Sequence, residues 1–176
     1  IMPIVLIVAQ IGLVFWLASR VMQMSASQAT GVFMLYAGLT GVTFSAIFMT
    51  YTASSITSTF LVTAGTFGAM SLYGYTTKRD LSKLGSFLMM GLIGIIIASI
   101  VNMFLQSSAM QFVISVIGVL VFVGLTAHDT QKIKLMYSEF DHSETASKKA
   151  VMGALSLYLD FLNLFMMLLY LFGDRR

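Results

Sequence analysis

The stretch Val151–Phe172, VMGALSLYLDFLNLFMMLLYLF, runs for 22 residues without a Lys or Arg and carries one carboxylate, Asp160, at its tenth position. A helix needs about 20 mostly apolar residues to cross a hydrocarbon core of roughly 30 Å, so this stretch is the length of a membrane span. A carboxylate inside such a span costs on the order of 3 kcal/mol on insertion scales, and it is therefore expected to face protein or a cavity rather than lipid. Gly153, Ser156, Asp160, Asn163 and Met167 recur at i, i+3, i+7, i+10 and i+14, which places them on one helical stripe. That stripe is predicted to turn inward, so the helix requires other helices around it.

Working outward, the same ruler finds five more segments without Lys or Arg: Ile1–Ser19, Thr30–Thr50, Thr57–Tyr75, Gly85–Leu105 and Ala109–Ala127. The links are short and polar, except Asp129–Ala150, whose Lys, Glu, Asp, Ser and His read as a solvated loop. The chain is predicted to be an all-α integral membrane protein, a single transmembrane domain over residues 1–176. Composition agrees: 58% of residues are hydrophobic and 10% charged, against roughly half and a quarter in soluble domains. With no Cys, neither a disulfide framework nor a Cys-based metal cluster is expected. The chain opens at Ile1 without a basic stretch ahead of its first apolar run, so it reads as lacking its beginning rather than as carrying a signal peptide.

Charge sets the orientation. Arg20 lies in the first connection, Lys78, Arg79 and Lys83 in the third, and Lys132, Lys134, Lys148 and Lys149 in the fifth, while the second and fourth carry none. By the positive-inside rule the odd connections are cytoplasmic. Strict alternation puts the Gly173–Arg176 tail outside, where its two arginines are unwelcome. The net charge of +3 comes from these loop residues and not from a basic, aromatic-studded stripe, so no nucleic-acid partner is expected.

Asp129 stands at the cytoplasmic end of the fifth segment, after His128 and three residues beyond Thr126. If Asp129 and Asp160 meet, two like charges in a poor dielectric cannot both ionise, and the pair should share a proton. A carboxylate at a helix end is equally placed to be a solvated boundary residue, and an intramembrane acid to be a protonated donor to a neighbouring helix. His128 and His142 have no second ligand at metal spacing, so no metal centre and no cofactor are expected. Gln10 and Asn102 suit bonds across helices, and Trp16 and Tyr75 sit where aromatic rings anchor at headgroups. The pairs Ala64 with Gly68, Gly38 with Gly41 and Gly91 with Gly94 suggest close helix packing.

Three motifs, Tyr73–Ser82, Gly124–Lys134 and above all Leu155–Phe165 (LSLYLDFLNLF), resemble the Bax inhibitor-1 family in its bacterial inner-membrane branch. The resemblance implies a seven-helix bundle with the last helix central, of which this chain supplies six transmembrane helices and lacks the family's first. It implies a multi-pass protein of the bacterial inner membrane. It also implies that Asp129 and Asp160 form a proton-sharing pair that gates a calcium leak with pH, with Arg20 similar to an arginine that pairs with the first aspartate. His128 stands where many members have Tyr, and Gln10 near where some have an acid.

The expected function is a pH-sensitive leak for cations, calcium foremost, gated by Asp129 and Asp160 and supported by His128, Ser156 and Asn163. The alternative is a non-conducting regulator that binds other membrane proteins, as bacterial relatives resemble modulators of a membrane-anchored ATP-dependent protease. Intramembrane aspartyl proteolysis is disfavoured, because Asp129 follows Thr-Ala-His and Asp160 follows Leu-Tyr-Leu, not the Gly-x-Gly that precedes such an aspartate. The chain is expected not to be an enzyme.

Overall fold

The computed structural model describes residues 12–20, 22–136 and 140–174. A helical run over 12–20 (α1) is followed by α2 (Ala26–Phe44), α3 (Ile47–Thr50), α4 (Ala53–Thr76), α5 (Ser82–Leu105), α6 (Ser108–Met136) and α7 (Ser143–Phe172). No strand occurs among the described residues. Among the described residues, four helical stretches are long and apolar enough to cross a membrane: Ala26–Thr50, which joins α2 and α3, and α5, α6 and α7. The chain is an all-α, multi-pass membrane protein. The helix α4 has the 24 residues of α5, but nine Ser and Thr lower its hydropathy. Most of the expected segment 1–19, Gln10 included, and the arginines of the tail lie outside the described residues.

Local signals start and stop these helices. Ser25 caps α2 in a capping box, its hydroxyl accepting from the Gln28 N–H while the Gln28 side chain accepts from the Ser25 N–H. The Thr52 hydroxyl caps α4 through the Ser55 N–H. Asn102, expected to bond across helices, instead closes a turn: its Oδ1 accepts from the Ser107 N–H at 3.0 Å, beside Gln106 in the left-handed region at φ 51°. Before α5, the N–H and hydroxyl of Ser82 hold the Asp80 carboxyl below the usual carboxylate range.

The last two helices overrun the spans expected of them, and this corrects the reading of Asp129–Ala150 as a loop. The helix α6 continues to Met136 and α7 begins at Ser143. At 1.5 Å per residue each is about 45 Å long, well beyond a hydrocarbon core of about 30 Å. Their charged ends suit helical structure: Lys134 lies in the last turn of α6 and Glu144 in the first turn of α7, each complementing the helix dipole. Hydropathy measures the part of a helix that is in lipid, not the part that is helical.

The helices α6 and α7 lie side by side at the centre. α7 packs against α2, α4 and α6, and α6 against α4, α5 and α7. α7, the helix expected at the centre, also meets α1 through Leu17 and Leu155, with α6 as its main partner. One apolar cluster joins Leu88 and Ile95 of α5 to Val121 and Leu125 of α6 and Leu164 of α7, and a second joins Leu17, Ala29 and Tyr36 to Leu155. The periphery is the reverse of a soluble surface: Phe87, Phe104 and Leu120 are exposed, as a lipid-facing shell requires.

Close approach occurs at other glycines than those expected. A Cβ on Gly38, Gly41, Gly68 or Gly94 would meet nothing within 4 Å, and Gly91 is in contact with Val121 alone. The tight positions are Gly74 against the Ala127 backbone, Gly85 against the His128 ring, Gly124 against Leu88, and Gly153 against Ile133. Small residues paired on a lipid-facing stripe have the spacing of a packing motif without the partner helix.

Candidate functional site: an aspartate pair between the central helices

The connections bearing Lys and Arg gather at one end, the end that the positive-inside rule assigns to the cytoplasm. There the Glu144 Oε1 accepts from the Ala26 N–H at 2.6 Å and Lys148 donates to the Met22 carbonyl at 3.2 Å, so the start of α7 holds the corner between α1 and α2. Lys134 donates to the Tyr75 carbonyl at 2.8 Å. Gln131 binds the α4–α5 connection with both ends of its amide, accepting from the Leu81 N–H at 2.9 Å and donating to the Arg79 carbonyl at 2.7 Å.

Within this frame α6 presents Asp129 and α7 presents Asp160. Gly153 allows the helices to approach, since a Cβ there would stand 2.9 Å from Ile133 Cγ1. Asp160 is 5% exposed. Its carboxyl lies near that of Asp129, and its Oδ2 has no hydrogen-bond partner among the described residues. Asp129 is half-buried, with the His128 Nδ1 3.1 Å from its Oδ1. The His128 ring rests against Gly85 and reaches a cavity of about 360 Å³ that it lines with Ser82, Gln131 and Lys132. On the other side Asp129 lines a cavity of about 340 Å³ together with Ser19, Gln23, Lys132, Lys149 and Ser156.

Of the residues singled out in the sequence, Asp129, Asp160, His128 and Ser156 are thus brought together. Arg20 is not: it is exposed at the end of α1 and forms no ion pair with Asp129 among the described residues. The α1–α2 corner turns through its carbonyl, which accepts from the Gln23 and Met24 N–H groups. Asn163 also stands apart, its amide donating to the Leu159 carbonyl of its own helix at 2.8 Å. The cations near Asp129 are Lys132 and Lys149, the latter bound to Asp141 at 2.7 Å and to the Met136 carbonyl at 3.0 Å. Extending the Gly153–Asp160 stripe back one turn reaches Lys149, a signal hidden by reading that segment as loop.

Gln131 was also missed, because an amide after a charged motif looks like a surface residue. Its replacement by Ala leaves a backbone N–H and a backbone carbonyl unpaired, which is expected to cost about 1–3 kcal/mol. A thermal-unfolding comparison in detergent tests this, and an unchanged melting temperature would show that water replaces both bonds.

Comparison with known proteins matches residues 1–176 to the family described as inhibitor of apoptosis-promoting Bax1. The chain is 58% identical over 173 residues to the inner membrane protein YbhL of Escherichia coli K12, covering 97% of this chain and 74% of that one. It is 53% identical over 172 residues to a protein of Borreliella burgdorferi, covering 97% and 74%, and 48% identical over 172 residues to the Rickettsia prowazekii protein RP147, covering 98% and 73%. With the motifs of α6 and α7 at the centre of an all-helical, multi-pass bundle, the chain belongs to the Bax inhibitor-1 family of membrane proteins and resides in the bacterial inner membrane.

Proposed function

We propose that the chain is a pH-sensitive leak pathway for cations, calcium foremost, gated by Asp129 and Asp160. The observation that carries the reading is the meeting of these two carboxyls between the central helices, with Asp129 opening onto the 340 Å³ cavity and Asp160 sealed behind it. Two carboxylates in contact away from water are compatible only while a proton lies between them. Loss of that proton puts like charges face to face and drives α6 and α7 apart. Gain of a second leaves both acids neutral, removing the charge that attracts a cation. The conducting state therefore lies above the pH at which the shared proton is lost, and oxygen ligands on a flexible pair suit a hard cation such as calcium. The reading assigns the protein no catalysis.

The test is calcium entry into proteoliposomes holding the full-length protein, measured from pH 6 to 8 beside Asp129→Asn and Asp160→Asn. The parent flux should vary with pH, and both variants should lose that variation. Flux with an unaltered pH profile in Asp160→Asn removes the mechanism.

A second reading, a regulator that binds other membrane proteins such as a membrane-anchored ATP-dependent protease, is favoured by the cytoplasmic overhang of α6 and α7. That overhang offers a rigid, charged stalk. Pull-down by the parent but not by a variant with Lys132, Lys134 and Lys148 neutralised would support this role; equal recovery of partners by both would count against it.

A further inference from the structure

The proposed gate leaves open how a cation passes between Asp160 and the outer face. α4 and α7 run antiparallel along one seam, and their register is fixed at several points. At the outer end the Thr52 N–H donates to the Asp174 carbonyl at 3.0 Å, and the Asp174 N–H donates to the Ser55 hydroxyl at 2.8 Å. A cavity of about 330 Å³ opens there, lined by Ser55, Ser58 and Thr59 of α4 and by Asp174, with Val62, Leu168 and Phe172 as its apolar wall. Further in, Phe60 meets Phe161 and Phe165 edge to face, with centroids 5.6 Å and 6.4 Å apart, and Phe67 meets Phe161 at 5.3 Å.

Phe67 already meets Phe161, so Ser71, one turn further inward on α4, comes level with about Leu157, one turn inward of Asp160 on the antiparallel helix. The Ser71 Oγ and the Asp160 Oδ2 are the two buried side-chain polar atoms without a hydrogen-bond partner among the described residues. Buried polar atoms are almost always paired, and two orphans about one turn apart on facing helices suit a place where a water or a cation is received. The outer cavity has hydroxyls and a carboxylate to gather cations. Between it and the orphans stands an aromatic layer that runs from Phe60, half exposed on the lipid side, to Phe67 and Phe161 beside Asp160, the form of a constriction that blocks ions by excluding water.

From this we propose that the outer half of the pathway is the α4–α7 seam, an outer vestibule of Ser55, Ser58, Thr59 and Asp174 closed from Ser71 and Asp160 by a gate of Phe60, Phe67, Phe161 and Phe165. The proposal rests on the leak reading above. It differs from a lipid-facing aromatic cluster in requiring that water-borne reagents reach Thr59 from outside and that loss of one ring opens the path.

Residues 1–176 hold no cysteine, so a cysteine introduced among them is read against the parent treated with the same reagent. In proteoliposomes of the full-length protein, Phe161→Ala should raise calcium flux about tenfold, the effect of removing a hydrophobic constriction. In a separate variant, Thr59→Cys should lose most of its flux when a membrane-impermeant, positively charged thiol reagent is added outside. If the parent conducts while Phe161→Ala conducts equally and the reagent leaves Thr59→Cys unaffected, the path lies elsewhere and the seam is overturned with the aspartate gate intact. Should Phe161→Ala fail to fold, the Thr59→Cys result decides alone. Absence of flux from the parent and every variant overturns the leak reading and this path with it.

Discussion

Replacing Asp160 with Val should make the protein more resistant to heat and, on the proposed leak reading, flatten the pH dependence of its flux. The two effects have one source. Asp160 is buried to 5% exposure with an oxygen that no described group satisfies, and an unsatisfied buried polar group costs about 1–3 kcal/mol. Val has one side-chain atom fewer than Asp, so it fits the same space, and it needs no partner. Asp129 is not stranded by the change, since it keeps His128 at 3.1 Å and its cavity. The melting temperature in detergent should rise, and flux across pH 6 to 8 should become level. A fall in stability would show that the carboxyl pair is a net stabilising contact, and the orphan oxygen would then need another explanation. Proteins commonly keep such a strained group where function needs it.

Gly74→Ala should be among the most damaging single changes in α4. A Cβ there would run into the Ala127 carbonyl and stand 2.9 Å from its Cα. The obstacle is backbone, so no side chain can swing aside, and α4 and α6 must part. Overpacking of this kind costs about 3 kcal/mol, at the upper end of the usual range. Ala127 immediately precedes His128 and Asp129, so the displacement should also shift the pH profile. Gly65→Ala in the same helix is the control, because a Cβ there meets nothing within 4 Å and Ala is the better helix former. Near-parental melting for Gly65→Ala beside a large drop for Gly74→Ala would locate the cost in the contact; equal behaviour of the two would remove it.

Much of the bundle can be read from composition, because lipid imposes its requirement on every turn of a span. Segments such as Gly85–Leu105 coincide with observed helices within a few residues. The same requirement exposed Asp160, a group that lipid cannot accommodate. What composition could not give was the helix beyond the membrane. Residues 129–136 and 143–150 are polar like a loop and helical in the structure, and with them were hidden Gln131 and Lys149. Arg20 failed for a related reason: proximity to Asp129 depends on how α1 meets α6, and no spacing along one chain encodes that. The paired glycines of α2 misled because spacing carries no information about which stripe a neighbour occupies.

The place of α7 against α2, α4 and α6 has a consequence for how the protein is made. α7 leaves the ribosome after all three of its neighbours. Until then their inner faces stand in the bilayer with nothing against them. Thr40, Thr63 and Thr126 tolerate the wait because each hydroxyl bonds a carbonyl of its own helix, at 2.9, 2.6 and 2.8 Å. Asp160 has no such local refuge, so the helix that completes the bundle is the one least able to stay in lipid alone. The docking of α7 on α6 is therefore the step that shelters Asp160, and a ribosome that stops short of residue 160 leaves an assembly without its last helix.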